Sequence, residues 1–285
     1  SYADNSTYKF ETKYRTDSHK TKAVNFNHVD RFGGTVYQNS SSGDSNTVSF
    51  ISGSGTDAYE DGFPITIETE VVFPKKIDSA EANADTQEFP HLSASLFGMH
   101  TANDADAADM TWASSDDAEF QVFAARDTLY SKDAKFVMSS SVLGEIETDY
   151  YLDTYNNSKW NFAVRLKPHG YPHSFASGTL SVSNDYTVEF YGVNYIADRK
   201  MNEFSLSGSV SKTLAESFLT APKRLFVGAH RTNYTGSVLQ SSDVKTTSLR
   251  YWMDYLDDSA IKYHALDPSN FGHPRPNRGA YLLES

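Results

Sequence analysis

Two stretches near the end of the chain decide how it is read: Lys223-Arg-Leu-Phe-Val-Gly-Ala-His230 and Ser248-Leu-Arg-Tyr-Trp-Met-Asp-Tyr-Leu-Asp-Asp-Ser-Ala-Ile-Lys-Tyr-His-Ala265. The first is an apolar run, Leu225 to Val227, stopped at Gly228. In the second, Leu249, Tyr251 and Met253 alternate with Arg250 and Trp252, the period of a half-buried strand. Asp257 or Asp258 then caps a short helix, in which Leu256, Ala260, Ile261 and His264 fall on one face. Strand, polar loop, aromatic strand and helix is the predicted order.

Other stretches extend the pattern. Phe63-Pro-Ile-Thr-Ile-Glu-Thr-Glu-Val-Val-Phe73 alternates cleanly. Ile65, Ile67, Thr69, Val71 and Phe73 form one face, expected in the core. Thr66, Glu68, Glu70 and Val72 form the other, expected in water. Ser158-Lys-Trp-Asn-Phe-Ala-Val-Arg-Leu-Lys-Pro168 puts Trp160, Phe162, Val164 and Leu166 together. Tyr186 to Gly192, a short Phe204 to Gly208, Leu92 to Met99, Glu119 to Ala125, Phe136 to Ser140 and Asp149 to Tyr155 read as further strands. Thr213 to Leu219 reads as one or two helical turns, ended before Pro222. Regular strands separated by turn residues predict an all-β, two-sheet antiparallel sandwich with a short closing helix.

These segments resemble the concanavalin A-like and laminin-G-like jelly-roll sandwiches. There, a strand of hydrophobic-Arg-aromatic-Trp type leads into a helix packed under the sheet, and a Gly-Lys-Trp strand anchors the sheet edge. The likeness runs from about residue 60 to 265. The combination of Arg224 to Gly236, Leu249 to Leu256 and Ile261 to Gly272 is similar to laminin-G-type domains in structural proteins of marine tailed phages. That resemblance implies a non-enzymatic structural or adhesive module of a virion or cell-surface assembly. It implies contact with other subunits of the same assembly, as a homo-oligomer, or with cell-surface glycan.

Composition bounds the partners. The chain has 285 residues and a formal net charge of −12. A phosphate backbone or an anionic bilayer demands basic stripes that this balance does not supply. No apolar run approaches a membrane span, and no secretory signal opens the chain. Cysteine is absent, which suits assembly in a reducing cytosol, as for a virion component, or on a bacterial surface. Localisation on a virion or extracellular surface is expected. Residues 1–22 read as an N-terminal arm or linker able to add a strand to a neighbour, 23–266 as the sandwich, and 267–285 as a Pro-rich exit segment. The ends, Ser1-Tyr2 and Leu283-Glu284-Ser285, read equally as cut points or as edges of an ordered piece of a longer polypeptide.

Three patterns bear on chemistry. Glu145, Glu147 and Asp149 alternate after Gly144, as do the carboxylates of concanavalin-like glycosidases, which need two carboxyls facing one cleft. The family order has Asp in the middle and Glu at the end, so a solvated strand face is the competing reading. Asp104, Asp106 and Asp109, with Asp116 and Asp117, supply oxygens that a calcium ion takes. The family's paired acids before the closing strand are missing, although Asp243 is near, and a solvated acidic loop competes with a calcium site. His230, Arg231, Asn233 and Tyr234 combine stacking rings with hydrogen-bonding groups, as a glycan site requires, and such residues serve protein interfaces equally well. Lys167 to His173 has the same composition. The nine His show no helical metal spacing, and no phosphate or dinucleotide motif is present. A calcium-assisted lectin and a divergent glycosidase are the alternatives to the structural module; no other cofactor is expected.

Overall fold

A computed structural model describes residues 64–75, 91–101, 120–168, 185–196, 198–220, 223–231, 238–252 and 254–267, together with the strand placements of 7–11 and 21–25. Two six-stranded antiparallel sheets face each other. The first runs β1 (Thr7–Glu11), β14 (Lys245–Trp252), β3 (Ile65–Val72), β8 (Lys159–Pro168), β9 (Tyr186–Ile196) and β10 (Arg199–Val210). The second runs β2 (Thr21–Asn25), β11 (Lys223–Gly228), β4 (Ser93–Thr101), β5 (Phe120–Ala125), β6 (Lys135–Ser140) and β7 (Gly144–Glu147). A ribbon of β12 (His230–Arg231) and β13 (Val238–Gln240) forms a separate two-stranded sheet. Helix α1 (Lys212–Thr220) links the sheets, and α2 (Asp258–Leu266) closes the described chain. The expected all-β sandwich with a closing helix is therefore what the chain builds. Thr7–Glu11, within the N-terminal segment, pairs with β14 of its own chain, and Thr21–Asn25 pairs with β11.

The inter-sheet core takes one face of every central strand: Ile67 and Val71 of β3, Trp160 and Phe162 of β8, Phe190 of β9, Leu249 and Tyr251 of β14, and Leu225 and Val227 of β11. Rings from both sheets interlock. Phe136 meets Trp160 and Phe162 edge-on at 4.7 Å, and Phe190 meets Phe204 at 4.9 Å. Such edge contacts add to the gain from burial. Gly192 exists to admit them: a Cβ there would lie 2.3 Å from Phe204 and 3.1 Å from Phe162.

Several expectations need correction. The polar face of β3 is not wet: Thr66, Glu68 and Glu70 are buried, because α2 lies across it. That helix packs Ala260, Ile261 and Ala265 on Ala163, Tyr191, Val193, Trp252 and Leu256, a second apolar layer on the outside of the first sheet. Asp149 to Tyr155 is turn rather than strand, joined to the sheet by one bridge between Tyr151 and Ala134. Asp153 sits at φ 55° within it, a conformation no strand contains. The short strand at Phe204 is the middle of twelve-residue β10, whose Ser and Gly positions pair along all of β9. The helix itself follows the sequence: Asp257 is its N-cap, accepting from the Ala260 amide at 2.8 Å, and Leu256, Ala260, Ile261 and His264 are all buried.

What lies beneath the helix is charged. Glu68 is 1% exposed and opposite Arg250 in the ladder. Its Oε1 accepts from Trp252 Nε1 at 2.9 Å, Arg250 Nη1 at 3.2 Å and His264 Nδ1 at 2.7 Å, and its Oε2 from Asn161 at 3.3 Å. Burial alone would push this carboxyl up, yet the hydrogen bond and charge of His264, then the charge of Arg250 and the Trp252 bond, hold it below its ordinary value. Arg165, also 1% exposed, binds Glu189 at 3.0 Å, Asp258 at 2.7 Å and the Leu256 carbonyl at 2.9 Å. Lys159 joins Glu70 at 3.1 Å and donates to the Ala265 carbonyl at the helix end. Thr66 ties the approach to the helix, donating to the Asp254 carbonyl and accepting from the Leu256 amide.

Three variants test this reading. Gly192→Ala is expected to cost about 1–3 kcal/mol in urea denaturation through overpacking. Gly208→Ala, whose new methyl would stop 3.6 Å from Val188, is expected to fold as stably as the parent. Glu68→Gln leaves Arg250 buried without its counter-charge and is expected to cost about 3–5 kcal/mol. In the parent, the depressed carboxyl stabilises the fold above its unfolded value near 4.5 and loses that contribution as pH falls through its lower folded value. The same acid titration of the variant should lack that component.

Candidate functional site

With one face of the first sheet closed by α2, the outer face of the second sheet is where candidate residues gather. Alternation sets its occupants. Leu225 and Val227 enter the core, so Phe226 projects the other way from β11; on β4, Met99 enters the core and Gly98 and His100 face outward with Phe226. Phe226 fits because Gly98 has no Cβ, which would sit 2.6 Å from its ring. The β12–β13 ribbon then folds over, and His230 completes a stack. Ring centroids are 5.1 Å apart for Phe226–His230, 5.7 Å for Phe226–His100 and 4.9 Å for His100–His230, all nearly parallel.

His100 and His230 meet through Nε2 at 2.7 Å. One nitrogen donates and the other accepts, so the pair shares a single proton at that contact. Burial pushes the His230 imidazole down to about 4, since an enclosed ring resists gaining charge. The ribbon is pinned by further polar bonds. Gln121 of β5 donates to the side-chain oxygen of Gln240, whose amide donates to Ser93 at 2.7 Å, and the Ser95 amide donates to the Ser241 carbonyl at 2.9 Å.

Beyond the ribbon the face opens. Gln121, Phe123 and Ala125 of β5 and Ser139 of β6 are half-buried, and Glu145 and Glu147 of β7 are exposed. The two glutamates do share one strand face, as the sequence pattern requires, because Ile146 between them packs on the core. Glu147 is held by Lys135 at 2.6 Å, and this hydrogen bond raises the lysine's affinity for its proton. Asp149 falls past the end of β7 and is exposed, so the triad is not one row on one strand.

Of the residues singled out as glycan ligands, His230 and Arg231 are placed on β12; Asn233 and Tyr234 lie outside the described residues. So do Asp104, Asp106, Asp109, Asp116 and Asp117, and His169 to His173. Asp243 is buried beside Arg126 and Tyr155, where its charge helps raise the Tyr155 phenol, after burial itself. Among the described residues no three His, Asp or Glu side chains gather as a metal cage, and no helix is long and apolar enough to cross a membrane.

In the sequence, Phe226 figures only as part of the apolar run and Gln121 only as part of a strand, and neither His100 nor Gln240 is singled out. The signal was local: an outward Phe226 between inward Leu225 and Val227, and Gly98-Met-His100 with the same alternation. Only the fold brings His100 to His230, across 130 positions.

No family model matches the chain, and no curated protein matches its sequence. Among solved structures, the native heptameric SAP-like pentraxin from Limulus polyphemus is similar over 72% of this chain and 72% of that one, at 9% identity and a TM-score of 0.35. A mutant alginate lyase in complex with alginate trisaccharide is similar over 69% of this chain and 72% of its own, at 10% identity and a TM-score of 0.29.

The His230 environment predicts a pH dependence. The unfolded chain protonates this ring near 6.5 and the folded chain only near 4. Stability is therefore full above pH 6.5 and declines as pH falls toward 4, by about 3 kcal/mol from this group. Urea denaturation at stepped pH should show the decline, and His230→Gln should flatten it across that window.

Proposed function

We propose that this chain is a non-enzymatic structural or adhesive module of a virion or cell-surface assembly, acting by protein or glycan contact through the outer face of its second sheet. The observation that carries the reading is the asymmetry of the two sheets. One outer face is sealed by α2 over paired charges, while the other presents Gln121, Phe123, Ser139 and Glu145 beside the stacked His100, Phe226 and His230. A sheet face with mixed amide, hydroxyl and aromatic groups suits recognition. The likeness of the closing segments to laminin-G-type phage domains supports the same role, with copies of the chain and neighbouring subunits as partners.

A calcium-assisted lectin is the second reading. The amides of Gln121 and Gln240, next to stacked rings, have the composition of a sugar site, and Asp104, Asp106 and Asp109 would supply the cation's oxygens.

A glycan array followed by calorimetry, with and without a chelator, separates them. The adhesive reading expects either no sugar binding with self-association in sedimentation, or binding that chelator leaves unchanged and Arg231→Ala weakens at least tenfold. Chelator-sensitive binding selects the lectin. Hydrolysis of a bound glycan, abolished by Glu145→Gln, would overturn both.

A further inference from the structure

His100 and His230 meet edge to edge, which brings two imidazole nitrogens, good transition-metal donors, to one point. His100 and His230 are 8% and 9% exposed, so the contact lies at the margin of the protein rather than deep inside it. Their Nε2 atoms, 2.7 Å apart, point at each other. Both rings are clamped: Phe226 stacks on each, Gly98 lets that ring lie close to the strand, and the Gln121–Gln240–Ser93 chain holds the ribbon. Burial keeps His230 neutral well below physiological pH, and a neutral imidazole is the form that binds metal.

We propose that His100 and His230 form a two-imidazole site for a divalent transition ion of the zinc, nickel or copper class. Such ions favour imidazole nitrogen, whereas calcium and magnesium favour oxygen. With zinc–nitrogen bonds of about 2.0–2.1 Å at a tetrahedral angle, the two donor atoms stand about 3.3 Å apart. The rings must separate by about 0.6 Å from their present contact, and each must turn by about 35° so that both lone pairs aim at one point beside the line joining the nitrogens. The proton now shared at Nε2 moves to Nδ1 of its own ring. Both imidazoles then stay neutral, each lone pair binds the ion, and no net proton is released. No third His, Asp or Glu side chain joins them among the described residues, which leaves positions that water can take. An ion so held is exchangeable, and a partner's donor atom could replace a water on it.

The test is calorimetric titration of the chelator-stripped full chain with zinc chloride or nickel chloride alone. One ion per chain is expected, with a micromolar dissociation constant. His100→Asn and His230→Asn are each expected to weaken it at least tenfold, although the double variant keeps seven of the nine histidines. Binding that survives either substitution, or no binding by the parent, overturns the proposal. Should a variant fail to fold, ring nitrogen-15 spectra of the parent decide: both Nε2 resonances must move together with one equivalent of metal, and failure of either to move overturns it. The inference does not rest on the adhesive reading, since the titration contains no glycan and the array contains no added transition metal.

Discussion

The fold depends on a buried carboxylate. Glu68 lies between a sheet and a helix, 1% exposed, and a charge there is tolerable only if donors replace the water it has lost. Four side chains supply them: Arg250 and Trp252 from the neighbouring strand, Asn161 from the strand on the other side, and His264 from the helix. Three of these, Arg250, Trp252 and His264, come from the closing stretch of sequence. Docking the helix in another register would cost Glu68 its short bond to His264, a specific loss added to the apolar contacts of Ile261 and Leu256. Apolar packing supplies the gain in burial, and the carboxylate supplies the register.

The same logic continues outward along this face. Arg165 and Lys167 meet Glu189, Arg165 reaches Asp258 at the first turn of the helix, and Lys159 and Asn161 take carbonyls near its end and middle. Lysine at a helix C-terminus and aspartate at its N-terminus also match the helix dipole. With cations and carboxylates matched this closely, the face behaves as interior despite its composition. Removing one partner costs far more than the pair contributes, because what remains is an uncompensated charge.

That composition is why the sequence could be read only in part. Period-2 alternation revealed β3, β8 and β14 and which of their residues enter the sandwich, and capping chemistry revealed α2, since both are local properties of the chain. Alternation cannot tell a polar face that meets water from one that meets complementary charge. Thr66, Glu68 and Glu70 look solvated until Arg250, Arg165 and Lys159 are placed opposite or beside them. β10 was legible only at Phe204, because its Ser and Gly positions carry little hydrophobic signal and its pairing with β9 supplies the structure. The glutamates of β7 were found by spacing, but spacing says nothing of Lys135, which neutralises one of them. His230 was noticed for its loop, while its partner His100 needed the sheet.

The two outer faces differ in how their polar groups are used. Beneath α2 each charged group is answered by protein, so little capacity is left for a ligand. On the second sheet the described polar groups are fewer and partly answered by one another: two imidazoles share one proton, and two amides form a chain to one serine. A shared proton is a weak substitute for a stronger Lewis acid, and half-buried amides such as that of Gln121 keep hydrogen-bonding capacity toward the outside. The proposed binding roles draw on that surplus. The same alternation that fills the sandwich with Leu225, Val227 and Met99 places Phe226, Gly98 and His100 on the far side, so the rigidity of the core is passed directly to the face proposed to meet a partner.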